Sequence, residues 1–126
     1  MYFTTYSIHD IFKAWEIEFA DEFEMWWGSL TAEEQESVAV SVGILEQVGP
    51  ALSRPHVDTL KGSSFPNMKE LRVQHDGRPL RVIFAFDHRR VALLLVGGDK
   101  TGDVRWYEKM IPVADRIYAE HLKQIN

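Results

Sequence analysis

Cysteine is absent from this 126-residue chain. That excludes a disulfide framework, a thiolate metal site and a cysteine nucleophile, and it permits a cytoplasmic location. Long apolar runs are absent too: the longest, Val91 to Val96, falls far short of a membrane span. The N-terminus MYFTTYSIHDIFKAW has no basic stretch followed by an apolar core, so no signal peptide is read there. Repeats and low-complexity segments are also missing. Basic residues are scarce in one region only. Residues 1–60 hold Lys13 and Arg54 against eleven acids, whereas residues 61–90 hold seven bases against three acids. Residues 91–126 balance at five and five, and the chain carries a net charge of −5. Such a balance argues against indiscriminate nucleic-acid binding but leaves room for one targeted basic site. A cationic stretch on an acidic domain suggests a site for an anion, and a phosphate backbone is the commonest large one.

The length predicts a single domain over residues 1–126, with 1–13 as a leader holding a short helical turn at Ser7–Phe12. Trp15 to Phe19 alternates apolar and acidic, which predicts a half-exposed strand. Phe19, Phe23, Trp26, Trp27 and Leu30 make the aromatic stripe of a first helix. Thr31-Ala32-Glu33-Glu34 is a capping box that starts a second helix, which Gly49-Pro50 ends. Two helices so closely joined form an antiparallel hairpin. Residues 50–67, rich in Pro, Gly and Ser, read as a loop. Strands follow at Met68–Val73, Leu80–Asp87 and Arg90–Val96, the last apolar on both faces and therefore central. Gly97 to Asp103 reads as a loop, and Pro112 suits the first position of a final helix. The order β-α-α-β-β-β-α predicts an α+β fold with its helices on one face of a twisted antiparallel sheet of about four strands.

A turn at His75–Arg78 sets Gln74 against Pro79, Val73 against Leu80 and Arg72 against Arg81. In that register Leu71, Val73, Leu80, Val82 and Phe84 share the core face, and a one-residue slip would bury an arginine. Arg72 and Arg81 then stand side by side on the other face. Opposed like charges destabilise a sheet, so the pair needs neighbouring acids, which Glu70 partly supplies, or a bound anion. The commoner fate of such arginines is a solvated sheet face. The five histidines show no ligand spacing, so no metal is expected. Gly97-Gly98-Asp99-Lys100-Thr101-Gly102 lacks the spacing and context of a nucleotide phosphate loop. Ser63 and Ser64 have no His–Asp partners for acyl transfer. Trp106 and Tyr107 either pack in the core or offer a base-stacking platform.

Leu60-Lys61-Gly62-Ser63, Glu70-Leu71-Arg72-Val73, Leu80-Arg81-Val82-Ile83-Phe84, Val91-Ala92-Leu93-Leu94-Leu95, Asp99-Lys100-Thr101 and a terminal helix after Pro112 form an ordered series. That series resembles the RelE/HigB family of type II toxins, in the phage-derived HigB-like branch of the RelE/ParE superfamily. The resemblance implies a metal-free, cofactor-free endoribonuclease that cuts messenger RNA in the ribosomal A site. It also implies a neutralising antitoxin, commonly a helix-turn-helix protein, and a cytoplasmic location without membrane attachment. Carried over by position, Arg72, Arg81, Lys100 and Lys61 are the catalytic candidates, with Lys69, Tyr107 and Trp106 as substrate contacts. Arginines suit the phosphorane because they stay charged and offer planar donor forks. A lysine beside them would serve proton transfer. Where the family often reads Phe-x-Lys-Lys-Thr, this chain has Gly97-Gly98-Asp99-Lys100-Thr101, with one lysine and an aromatic fewer. The alternative is a non-enzymatic or degenerate member of the superfamily that binds gyrase or an acidic partner segment.

Overall fold

The computed structural model describes residues 15–126. The helical turn expected at Ser7–Phe12 lies outside them. In chain order come β1 (Glu16–Phe19), α1 (Asp21–Gly28), α2 (Ala32–Val48), a 3-10 turn (Gly49–Ala51), β2 (Val57–Thr59), β3 (Met68–His75), β4 (Arg78–Phe86), β5 (Val91–Asp99) and α3 (Trp106–Ile125). One five-stranded sheet runs β1-β5-β4-β3-β2. It is mixed, because β1 lies parallel to β5 while the other pairs are antiparallel.

The fold is the expected α+β class, with one strand more than the sequence reading. That strand, β2, lies inside the stretch read as a loop. It is three residues long, and its flanking Pro and Ser residues hide it. Val57, 3% exposed, anchors it in the core opposite Leu71. The helical hairpin forms as expected. The Thr31 hydroxyl accepts from the Glu34 amide at 3.1 Å, and the Thr31 amide donates to Glu34 Oε1 at 2.8 Å. Glu34 also pairs with Arg78 at the sheet's end, and Arg78 reaches Asp99 at 3.0 Å.

The helices cover both faces of the sheet rather than one. Phe23, Val38 and Leu45 of the hairpin pack on Leu71, Val73, Leu80, Val82 and Phe84. Trp106, Ile111, Ala114, Ile117 and Tyr118 of α3 pack on Met68, Ile83, Ala85, Leu93 and Leu95. A strand that is apolar on both sides, as β5 is, requires cover on both. Phe19 closes β1 and stays 55% exposed instead of joining the first helix's stripe. The final helix begins at Trp106, so Pro112 sits inside it rather than at its start. The earlier start brings Trp106 under the sheet. β5 runs on through Gly97 and Gly98 instead of giving way to a loop after Val96, because both residues pair with β4.

Candidate anion-binding site

The register of β3 and β4 is the one the apolar alternation requires: Arg72 lies opposite Arg81 and Val73 opposite Leu80. The hairpin closes one pair further out, His75 to Arg78, over a two-residue turn. Asp76 (φ 49°) and Gly77 (φ 75°) both take left-handed backbone there, as tight hairpin turns favour. β5 shifts register between Ile83 and Phe84, so that Leu95 and Val96 both join the α3 core. Beyond that irregularity Gly98 faces Arg81 across the ladder. A Cβ on Gly98 would stand 2.5 Å from the Trp106 indole nitrogen. The missing side chain lets α3 begin directly over the arginine pair.

Glu70 sits at the centre of the site. It lies two residues before Arg72, on the same sheet face, and is 3% exposed. Arg72 donates from Nε at 3.2 Å and from Nη2 at 3.1 Å to Glu70 Oε2. Arg81 Nε lies 3.5 Å from Glu70 Oε1, an ion pair without a hydrogen bond. The Tyr107 hydroxyl donates to that same Oε1 at 2.5 Å. Asp58, opposite Glu70 on β2, accepts from Arg72 Nη2 at 3.3 Å and from Arg54. Arg81 Nη1 is turned to the Leu80 carbonyl. Arg81 Nε is buried without a hydrogen-bond partner, alone in this among the side chains of the described residues. A buried donor left free on a charged fork is one that an anion could accept from.

Tyr107 is half-buried, and burial, with the Glu70 carboxylate as acceptor, pushes its phenol above the usual range. The phenol therefore keeps its proton at neutral pH. The Lys100 ammonium lies 5.6 Å from the centroid of the Tyr107 ring, and its backbone amide is tied to the Pro79 carbonyl.

Of the expected site residues, then, the fold gathers Arg72, Arg81, Tyr107 and Lys100. Trp106 is 5% exposed and packed against Gly98, which leaves little of its ring for a base. Lys69 belongs to the opposite face, where its Nζ donates to Thr59 Oγ1 at 3.3 Å. Lys61 is exposed in the β2–β3 connection. It follows Leu60, whose amide bonds to Met68, four residues from Arg72, or roughly 13 Å of strand. Sequence reasoning gave Glu70 only a minor part and missed Asp58. Period-two alternation places Glu70 with Arg72, but nothing in Asp58's loop-like neighbourhood reveals its strand.

A second charged cluster lies just beyond the end of β4. Asp87 accepts from the Arg89 amide at 2.8 Å, from Arg89 Nη2 at 2.7 Å and faces His121 Nε2 at 2.9 Å. Arg89 also reaches Glu18 at 2.9 Å. Burial pushes the Asp87 carboxyl up, but the Arg89 and His121 bonds outweigh it and hold it at about 2. Among the described residues no group of three or more potential ligands is placed to hold a metal ion, and no helix is long and apolar enough to cross a membrane.

This sheet, covered by a helical hairpin on one face and a helix on the other, defines the RelE-like fold. The isolated Escherichia coli RelE toxin superposes with a TM-score of 0.57 at 14% identity, covering 90% of this chain and all of that one. A chain of the intact E. coli RelBE toxin–antitoxin complex gives 0.52 at 13% identity over 68% of this chain and 95% of that one. The archaeal RelE–RelB complex from Pyrococcus horikoshii gives 0.51 at 17% identity over 71% and 98%. Residues 25–119 match the family described as "Phage derived protein Gp49-like (DUF891)", and the chain belongs to that family of HigB/RelE-like toxins of toxin–antitoxin systems. Two relatives come from Mycobacterium tuberculosis (strain ATCC 25618 / H37Rv). "Putative toxin HigB2" is 43% identical over 108 residues, 84% of this chain, which spans about half (54%) of that protein's length. "Putative toxin HigB3" is 46% identical over 96 residues, 75% of this chain and 82% of that one.

Proposed function

We propose that the chain is a ribosome-dependent endoribonuclease of the cytoplasm, cutting mRNA in the A site and restrained by a cognate antitoxin, commonly of the helix-turn-helix kind. The observation that carries this reading is the arginine pair. Two guanidiniums share one buried carboxylate, one of them keeps an unpartnered buried donor, and a tyrosine and a lysine flank them. RNA cleavage requires the 2′-hydroxyl to lose its proton, the phosphorane to be stabilised and the 5′-oxygen to gain a proton. Arg72 and Arg81 take the phosphorane, since donors fixed before the reaction cost no reorganisation when charge develops. Lys100, whose ammonium lies beside the Tyr107 ring, protonates the leaving 5′-oxygen.

One observation favours a second reading. The pair already binds a carboxylate, Glu70, so it can also receive an acidic partner segment. Primer extension on a reporter mRNA in a reconstituted translation reaction separates the two. The nuclease reading expects discrete in-frame cuts that fall on the order of 10²–10³-fold in Arg81→Ala, the usual cost of one transition-state donor. Intact mRNA with wild-type protein verified on ribosomes overturns it. Weakened partner binding in Arg81→Ala, with no cutting to lose, then supports the partner-binding reading.

A further inference from the structure

Proton removal from the 2′-hydroxyl has no assigned group in the reading above, and the inference here rests on that reading. We propose that Glu70 is the terminal proton acceptor of the site and that Tyr107 is the relay through which it acts. Three observations lead to this. The Glu70 carboxylate is buried, so substrate does not touch it directly. The Tyr107 hydroxyl points its proton inward, at Glu70 Oε1, 2.5 Å away. A phenol whose hydrogen is committed inward presents its oxygen lone pairs outward as an acceptor.

The step balances. As the 2′-oxygen forms its bond to phosphorus, the 2′ proton passes to Tyr107 Oη while the phenolic proton passes to Glu70 Oε1. Glu70 becomes the acid form and Tyr107 is never ionised. The bond from phosphorus to the 5′-oxygen breaks, and that oxygen takes its proton from Lys100. The products are a 2′,3′-cyclic phosphate and a 5′-hydroxyl. The proton on Glu70 then leaves by the same phenol, and solvent recharges Lys100. A phenol that resists ionisation is a poor acid but a sound conduit. The groups facing the dyad are Asp58 from β2, Arg72 from β3, Arg81 from β4 and Lys100 beyond β5. Both arginines stay cationic through the cycle.

The test is single-turnover cleavage of a ribosome-bound model mRNA by wild type, Glu70→Gln, Tyr107→Phe and Lys100→Ala. Tyr107→Phe keeps the ring and removes one oxygen, so it decides the matter even where Glu70→Gln folds poorly. Both relay variants are expected to lose about 10²–10⁴-fold in rate, the range of general-base catalysis. Their mRNA affinity should stay within about threefold. Their residual rate should climb about tenfold per pH unit, because hydroxide must then do the deprotonation; a purely structural defect would not add that slope. A second substrate carries sulfur in place of the 5′-oxygen, a leaving group that departs without a proton. It should rescue Lys100→Ala and leave the relay variants slow. Rescue of Tyr107→Phe by sulfur, or Tyr107→Phe cutting as fast as wild type, overturns the relay alone. Wild type that leaves mRNA uncut overturns the nuclease reading and the relay together.

Discussion

Two buried carboxylates, Glu70 beside the middle of β4 and Asp87 just beyond its end, each face arginine, and they are built to opposite purposes. At Asp87 one arginine faces two carboxylates, with His121 closing the remaining side. The Asp87 side chain is fully covered, and its oxygens accept from backbone, guanidinium and imidazole. At Glu70 two arginines share the central carboxylate and Asp58 is shared with Arg54, while one buried guanidinium nitrogen has no acceptor. A completed network locks a fold; an incomplete one of surplus positive charge is shaped for an incoming anion. Composition alone would score both as Arg–carboxylate pairs. The difference lies in what is left unsatisfied.

Mutations in the two clusters should therefore fail in opposite ways. The largest effect expected is the loss of cutting in Arg81→Ala, with the protein still folded by circular dichroism. Asp87→Asn should do the reverse. It should cost about 3 kcal/mol in chemical denaturation, the low end for breaking a buried ion pair because Arg89 is partly exposed, and leave cleavage per folded molecule unchanged. A folding loss in Arg81→Ala as deep as that in Asp87→Asn would erase the distinction.

Acid unfolding sharpens the same contrast. Asp87 titrates at about 2 in the fold against 3.8 in an unstructured chain. A depressed carboxyl stabilises the fold above its unfolded value and loses that contribution as pH falls through the folded one. The wild type should thus shed about 2.5 kcal/mol between about pH 5 and pH 1, at about 1.36 kcal/mol per unit. Asp87→Asn should be flatter over that window. An equally steep wild type and variant would show that the carboxyl lies elsewhere in the titration. The smallest effect is expected away from both clusters. Thr31→Ala removes the cap that orders α2 and should cost about 1 kcal/mol by thermal melting, without altering cleavage.

The sequence made the arginine pair legible because one simple rule governs it. Alternation with a period of two, plus an Asp-Gly turn, leaves a single register that buries Leu71, Val73, Leu80, Val82 and Phe84. The capping box was equally plain, since it depends on four adjacent residues. What stayed hidden depends on tertiary neighbours. β2 is too short to show a pattern between its prolines and serines. The α3 start at Trp106 is fixed by the space Gly98 leaves, not by a local cap: the Arg105 side chain makes no capping bond. Lys69 looks like a neighbour of Arg72 in the chain, yet the pleat sends it to the other face. Trp106 beside Tyr107 looked like a matched aromatic pair, but helical geometry buries one and leaves the other at the site.

The consecutive glycines of β5 carry a consequence beyond packing. A Cβ on Gly97 would meet Trp26 at 2.1 Å, and one on Gly98 would meet Trp106 at 2.5 Å. An indole from each of the two cores rests there on neighbouring residues of a single strand. Nature has in effect placed a dye on either side of one membrane-thin wall. Retaining Trp26 alone, or Trp106 alone, would give an optical read-out of each core, and the two emission changes would tell whether the hairpin side and the site side melt together or in turn.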